Sequence, residues 1–148
     1  MKQKKVTVNQ PLEFYQSNPD TEHSLPFAEG ISAGFPSPAE EYIELSLDLN
    51  KTLVPHPNST FFGRVKGHSM RDAQIYDGDI LIIDKSISPA NGKQAVCYID
   101  GEFAIKTLKV DKSGVWLMPA NSEYKPMKIT EDNDFVVWGI VTYVIHKV

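Results

Sequence analysis

The second half of the chain is divided at regular intervals by pairs in which aspartate, asparagine or serine precedes glycine. These pairs are Asp77-Gly78, Asn91-Gly92, Asp100-Gly101 and Ser113-Gly114. Such pairs favour tight turns, and turns repeated about every 8–12 residues are typical of all-β sandwiches and barrels. This spacing constrains the fold more than any other feature, and it predicts a mostly β, single-domain structure for residues 42–148.

Six runs between these turns are rich in β-branched and aromatic residues, as strands usually are. Asp100-Gly101 is a preferred pair for a two-residue hairpin turn, so residues 94–99 and 102–109 are predicted to be antiparallel neighbours. The six runs are TFFGRVK, DILIID, KQAVCYI, EFAIKTLKV, VWLMP and DFVVWGIVTYVI, at residues 60–66, 79–84, 93–99, 102–110, 115–119 and 134–145.

The stretch just before these runs is compatible with two structures. Apolar and polar residues alternate over residues 43–49, which favours a strand. The segment DLNKTLV, residues 48–54, is equally compatible with a short helical turn capped by Asp48 or Asn50. The sequence alone leaves both structures open.

The first part of the chain is rich in proline. Five of the ten prolines fall within the first 38 residues. Proline lacks a backbone donor and fixes φ, which argues against a long helix or a central strand in this region. We therefore predict that residues 1–41 form an extended, flexible arm, of which short pieces could pair with the β-rich domain. The arm contains the small-residue pair Ala33-Gly34 within the open stretch ISAGFPSPAEEY.

Length, charge and hydropathy limit the possible functions. With 148 residues the chain suits one domain with a real core, and its net charge of −4 argues against a large DNA-binding face. No run approaches the roughly 18–20 apolar residues that span a bilayer, and no apolar run follows the N-terminal lysines as in a signal peptide. Cys97 is the one cysteine, so no internal disulfide can form. We expect a cytoplasmic protein with little direct DNA binding and no membrane contact.

Two residues could perform nucleophilic chemistry. Ser69 follows Gly67 by two positions, a spacing that suits a sharp turn presenting a hydroxyl. Lys106 lies on the second strand of the predicted hairpin, flanked on its own face by Ala104 and Leu108. Burial lowers the pKa of a lysine and could make it the base that a serine needs. Most turn serines are simply solvated and most lone strand lysines extend to solvent, so these residues alone do not decide the matter.

Other reactive residues form no comparable pattern. His68 adjoins Ser69, but neighbours on an extended segment point to opposite sides, so it is badly placed as a base. No His, Cys, Asp or Glu spacing resembles a metal site, and no glycine-rich phosphate loop occurs. We expect Asp77 and Asp79 to form a turn, Cys97 to be a core residue, and the protein to need no metal or cofactor.

Several of these features occur together in one known family. The segments GHSMRDAQIYDGDILIID and GEFAIKTLKV, preceded by an Ala-Gly bond and FPSPAEEYIELSLDLN, closely resemble the LexA/UmuD family of self-cleaving serine–lysine proteins, peptidase family S24. The resemblance runs from about Ser32 to the C-terminus. It is nearest to the UmuD branch, whose members are accessory subunits of an error-prone DNA polymerase.

The resemblance implies a role for each matching residue. Ser69 would be the nucleophile, Lys106 the general base and Ala33-Gly34 the scissile bond. The backbone N–H groups of His68 and Ser69 would form the oxyanion hole. One departure from the family pattern is Lys66, where many relatives carry a small hydroxyl residue; its charge would lower the pKa of Lys106 if it pointed into the cleft.

The resemblance also implies a biological role. Cleavage would be stimulated by a RecA–single-stranded DNA filament during the SOS response to DNA damage. The trimmed homodimer would then assist the catalytic subunit of a Y-family error-prone polymerase in translesion synthesis. The alternatives are a LexA-like repressor fragment, for which a proline-rich arm leaves no room for a DNA-binding domain, and a signal-peptidase-like protease acting on other chains. A third is a non-catalytic β-rich interaction module.

Overall fold

The computed structural model describes residues 5–7, 12–16, 24–28 and 44–148, with side chains from residue 48 onward. The predicted cleavage bond Ala33-Gly34 lies outside the described residues. The chain divides into two compact units, one made of residues 1–17 with 56–148 and the other of residues 18–55. The division into an arm, residues 1–41, and a domain, residues 42–148, stays a prediction.

The described elements are eleven strands, one short α-helix and two 3-10 turns. The turns span Pro57–Ser59 and Arg71–Ala73. In chain order the other elements are β1 (Lys5–Thr7), β2 (Leu12–Gln16), β3 (Ser24–Ala28), β4 (Glu44–Asp48), α1 (Leu49–Leu53), β5 (Thr60–Val65), β6 (Ile80–Asp84), β7 (Gln94–Ile99), β8 (Glu102–Asp111), β9 (Gly114–Met118), β10 (Met127–Lys128) and β11 (Phe135–Ile145).

The first unit contains a nine-stranded antiparallel sheet. Its strand order is β1-β2-β5-β6-β11-β7-β8-β9-β10. The prediction of a mostly β fold is confirmed, and each of the six predicted runs forms a strand. The argument from proline against an internal strand in the first 41 residues is wrong for β2, which lies between β1 and β5. Residues 12–16 contain no proline, so every backbone donor in this strand is retained.

The second unit contains β3 paired antiparallel with β4, followed directly by α1. Asp48 ends the strand and caps the helix, because its Oδ1 accepts hydrogen bonds from the N–H of Asn50 at 2.9 Å and of Lys51 at 3.4 Å. The two structures that the sequence left open therefore both occur, one after the other, with Asp48 at the junction.

The predicted hairpin of β7 and β8 is confirmed. Ile99 pairs with Glu102, which leaves Asp100 and Gly101 as the two-residue turn. Both turn residues have positive φ, +48° at Asp100 and +91° at Gly101, as a type I′ turn requires. The register opposes Ala95 to Lys106 and so determines where the lysine lies.

Two clusters of buried side chains form the core of the first unit, and β7 contributes to both because its side chains alternate between faces. Val96 belongs to the first cluster, whereas Ala95 and Cys97 belong to the second, which confirms Cys97 as a core residue. The first cluster contains Val65, Met70, Ile75, Leu81, Ile83, Val96 and Ile105, and the second contains Ala95, Cys97, Leu108, Leu117 and Ile140.

Candidate active site

Ser69 lies on the long loop between β5 and β6, and backbone hydrogen bonds close this loop at its base. The N–H of Val65 donates to the carbonyl of Asp79 at 2.9 Å, and the N–H of Gly78 donates to the carbonyl of Val65 at 2.8 Å. The loop therefore begins and ends at one fixed point, and its 12 or so intervening residues are held as a closed unit.

Further contacts tighten the part of the loop that carries Ser69. The carboxylate of Asp77 accepts a hydrogen bond from the N–H of Gly67 at 2.9 Å. Gly67 has φ of +101°, a backbone conformation that residues other than glycine rarely adopt. The sharp turn predicted before Ser69 is thus confirmed, and Asp77 stabilises it.

Asp79 anchors the same loop to the end of the chain. Its buried carboxylate accepts a hydrogen bond from the N–H of Tyr76 at 2.9 Å, and His146 Nδ1 lies 2.6 Å from its other oxygen. The rings of Tyr76 and His146 also pack together, with centroids 5.2 Å apart. Asp77 and Asp79 lie in a turn as predicted, and both brace the loop of Ser69.

A small open pocket of about 60 Å³ lies beside Ser69. Met70, the next residue, is fully buried in the first core cluster and gives this wall of the pocket little freedom to move. A space of this size holds a few water molecules or a small side chain. The pocket is lined by Val65, Lys66, Gly67, Ser69, Met70, Ala104 and Ile105.

Near Ser69, one backbone carbonyl accepts two hydrogen bonds, whereas two backbone N–H groups donate none within the described part of the chain. The carbonyl of His68 accepts hydrogen bonds from Asn121 Nδ2 at 2.6 Å and from the N–H of Arg71 at 3.3 Å. Within the described part of the chain, neither the N–H of His68 nor that of Ser69 donates a hydrogen bond. Because neither has a partner among the described residues, both donors could serve an external acceptor.

Lys106 is half-buried on β8, directly after the two residues of this strand that line the pocket. Burial lowers its pKa from the ordinary value of 10.5. The pKa of the Cys97 thiol is raised to about 12 by burial. The strand neighbours Ala104 and Leu108 thus provide the partly apolar setting that the sequence indicated.

A single segment contacts both the Ser69 turn and Lys106. The side chain of Asn121 donates to the carbonyl of His68, and the ring centre of Tyr124, three positions later, lies 5.7 Å from Lys106 Nζ. Ala104 and Ile105, which precede Lys106 on β8, line the pocket of Ser69, so this segment and β8 both contact the region of the Ser69 turn. Among the described residues, no hydrogen bond joins Ser69 Oγ to Lys106 Nζ, so the dyad stays a prediction.

The structure gives other contacts to the remaining histidine and lysine side chains near these residues. His56 Nδ1 lies 2.6 Å from the buried carboxylate of Asp84, which also accepts hydrogen bonds from Ser59 and Ser86. The side chain of His68 is exposed, and Lys66 lines the pocket. No group of three or more potential metal ligands occurs within residues 44–148 or the three shorter described segments.

Asn121 and Tyr124 are the site residues that sequence reasoning missed. They lie in the stretch NSEY, which contains no periodic pattern and no motif. Asn121 is only 3% exposed although it is a polar residue in a loop. No local sequence pattern indicates that such a residue is buried.

The described structure is a β-sheet protein with a serine on a braced turn, a small pocket and a half-buried lysine. These are features of the hydrolases in which a serine is paired with a lysine instead of a histidine. Comparison with known proteins agrees. The chain matches the family described as Peptidase S24-like over residues 26–142, which is more than half of its length. It therefore belongs to the S24 family of serine peptidases.

Individual relatives are similar over most of the chain. Protein MucA of Salmonella typhimurium is 42% identical over 132 residues, which cover 88% of this chain and 90% of MucA. Protein SamA of Salmonella typhimurium strain LT2 is 39% identical over 121 residues, 82% of this chain and 84% of SamA. The LexA repressor of Pseudomonas chlororaphis is 35% identical over 134 residues, 90% of this chain but 65% of the repressor. The assignment to the LexA/UmuD family is confirmed.

None of the described helices has both the length and the apolar run needed to cross a bilayer.

Proposed function

We propose that this chain is a self-cleaving serine peptidase that cuts its own Ala33-Gly34 bond with Ser69 as nucleophile and Lys106 as general base. The observation that carries the proposal is the setting of Lys106. It is half-buried, its pKa is lowered by burial, and it follows directly on the strand residues that line the pocket of Ser69. A lysine of this kind can be neutral at a pH where a solvated lysine is charged.

The proposed reaction begins when neutral Lys106 removes the proton from Ser69 Oγ, which attacks the carbonyl carbon of Ala33. The resulting oxyanion would accept hydrogen bonds from the free N–H groups of His68 and Ser69. The Lys106 ammonium then gives its proton to the nitrogen of Gly34, the C–N bond breaks, and an ester of Ser69 remains. Water, deprotonated by Lys106, hydrolyses the ester and restores Ser69.

The size of the pocket agrees with the proposed substrate. A space of about 60 Å³ accommodates a methyl side chain such as that of Ala33. The arm is tethered to the domain, so its local concentration is high and cutting must be limited by correct docking. The prolines of the arm reduce the conformational freedom that docking removes.

We further propose that a RecA–single-stranded DNA filament stimulates cleavage by favouring the docked arm. The product, residues 34–148, would act as a cytoplasmic homodimer that assists the catalytic subunit of a Y-family error-prone polymerase in SOS mutagenesis. This part of the proposal rests on the family membership and on the resemblance of the sequence to the UmuD branch.

Intact-mass spectrometry of the purified chain, incubated with and without RecA filaments, tests the proposal. We expect a fragment that begins at Gly34, formed faster with filaments, and none from Ser69→Ala or Lys106→Ala. Ser88→Ala and Lys109→Ala are matched controls, because both residues are exposed and Lys109 lies on the same strand as Lys106. A Gly34 fragment from either active-site variant would contradict the proposed mechanism.

The same assay separates the alternatives. A peptidase directed at other chains would leave Ala33-Gly34 intact while cleaving added unfolded polypeptides, and an interaction module would cleave nothing. Mixing a Ser69→Ala chain with a chain whose Gly34 is replaced by Trp shows whether an arm is cut by its own domain. Cleavage in that mixture would show that the domain of one subunit cuts the arm of another.

A further inference from the structure

Asn121 is a buried polar residue whose hydrogen bonds are all directed at the protein backbone. Its Nδ2 donates to the carbonyl of His68 at 2.6 Å, and its Oδ1 accepts from the N–H of Glu123 at 3.0 Å. Its own carbonyl accepts from the N–H of Tyr124 at 3.1 Å. The side chain is 3% exposed, so water cannot readily replace these partners.

The bond to His68, together with the longer one from the N–H of Arg71 at 3.3 Å, fixes the orientation of one peptide group. The carbonyl of His68 and the N–H of Ser69 belong to the same planar trans peptide, in which they point in opposite directions. When Asn121 holds the carbonyl on its side, the N–H of Ser69 must point away from Asn121. The N–H of Ser69 is one of the two donors near the pocket without a partner in the described part of the chain.

The same bond strengthens that donor. A hydrogen bond accepted by the carbonyl polarises the peptide and makes its N–H a better donor, especially where water is excluded. Asn121 is itself held by a second link to the Ser69 turn, since the neighbouring carbonyl of Ala120 accepts a hydrogen bond from the N–H of Asp72. Two parallel links thus join residues 120–121 to residues 68–72.

We propose that Asn121 is a positioning residue that aims the N–H of Ser69 into the oxyanion hole. It does not touch the substrate. It acts through the peptide between His68 and Ser69, whose carbonyl otherwise accepts only the longer bond from the N–H of Arg71 at 3.3 Å within the described part of the chain. This inference deepens the proposed self-cleavage and rests on it.

Two variants of Asn121 test the proposal. Asn121→Ala removes the side chain, and Asn121→Asp keeps its shape and its acceptor for Glu123 while replacing the donor to His68 by an oxygen. We expect the plateau rate of self-cleavage, at a pH where Lys106 is neutral, to fall on the order of 100-fold, as for loss of an oxyanion-hole donor. For Asn121→Ala the pH midpoint should not move, because Lys106 is unchanged.

Asn133→Ala is the matched control. Asn133 is also a loop asparagine whose Nδ2 donates to another loop, at Asp100 Oδ2, and whose Oδ1 accepts a backbone N–H, that of Thr130. The Asn133→Ala chain should cleave itself at the wild-type rate, even if its free energy of unfolding falls as much as that of Asn121→Ala. An equal slowing in both variants would show a merely structural role and overturn the proposal.

Two readouts that do not need the arm distinguish failure of this inference from failure of self-cleavage. The first is labelling of Ser69 by a phosphonofluoridate, which uses the same oxyanion donors. The second is the amide proton shift of Ser69 in NMR spectra. We expect labelling to slow and the shift to change in both Asn121 variants. Two results overturn the positioning role, whether or not the arm is cut. One is labelling of the Asn121 variants as fast as that of the wild type, and the other is a wild type that is not labelled.

Discussion

The ammonium of Lys106 lies 5.7 Å from the centre of the Tyr124 ring, close enough for a cation–π contact. This contact favours the charged lysine, whereas partial burial favours the neutral one. Burial is the main cause of the lowered pKa of Lys106. We expect Tyr124, which is 48% exposed, to moderate that shift.

Replacing the ring tests this balance. Tyr124→Leu should lower the pKa of Lys106 further and move the pH–rate profile of self-cleavage to lower pH. At a pH below the midpoint the rate should rise roughly two- to fivefold, which corresponds to a cation–π contact of about 0.5–1 kcal/mol. Tyr124→Phe keeps the ring and should behave as wild type. A slower Tyr124→Leu chain at that pH would show that the ring serves another purpose.

The pH dependence of the wild-type chain tests Lys106 as base. A neutral base is needed, so the rate should rise with pH through the lowered pKa of Lys106 and become constant below pH 10.5. The Cys97 thiol faces the same lysine but stays neutral over this range, because its pKa is about 12. Lys106→Arg should be inactive throughout, since a guanidinium stays protonated. A rate that is independent of pH would contradict the assignment.

Gly67 and Gly92 provide a matched pair for the Ser69 turn. Both have positive φ, +101° and +82°, and both face open space where a Cβ would lie. Alanine at either position should cost about 1–3 kcal/mol of stability from backbone strain alone. Only Gly67→Ala should also slow cleavage, because it distorts the turn before Ser69. Urea unfolding and cleavage rates of the two variants measure this difference, and equal cleavage rates would contradict it.

Asp84 should make stability depend on pH in the acid range. Burial alone would raise its pKa, but hydrogen bonds from Ser86, His56 and Ser59 outweigh burial and lower it to about 2. Because the folded pKa lies below the unfolded one, this stabilisation is present above about pH 4 and is lost as the pH falls to about 2. It amounts to about 2 kcal/mol near neutral pH.

Asp84→Asn should lose that stabilisation at neutral pH and should unfold with a weaker dependence on pH between 4 and 2. The exposed Asp132 is the control, and Asp132→Asn should unfold as the wild type does. Urea midpoints measured across this pH range give the comparison. Parallel curves for wild type and Asp84→Asn would show that Asp84 does not contribute.

Local patterns in the sequence were sufficient to predict six strands of the domain, whereas they left β4 open between a strand and a helical turn. β-Branched and aromatic content between turn residues identified β5 to β9 and β11, and the Asp100-Gly101 pair gave the register that opposes Lys106 to Ala95. Strand β10, with two residues, is too short for any alternation to be visible. Short pieces of the arm were expected to pair with the domain, as β2 does with β5, but the prolines argued against its internal position between β1 and β5.

The sequence by itself determined which segments become strands, which face of β8 carries Lys106, and where the tight turns lie. These properties depend on neighbours in the chain: alternation, β-branching and the backbone freedom of glycine. Only the tertiary structure decided that β11 inserts between β6 and β7, and that Asn121, Tyr124 and His146 reach the Ser69 loop or Lys106. An alternating strand can pair with any other, so the order is set by how much apolar surface the whole sheet buries. The partners of a buried polar group are likewise settled by that packing.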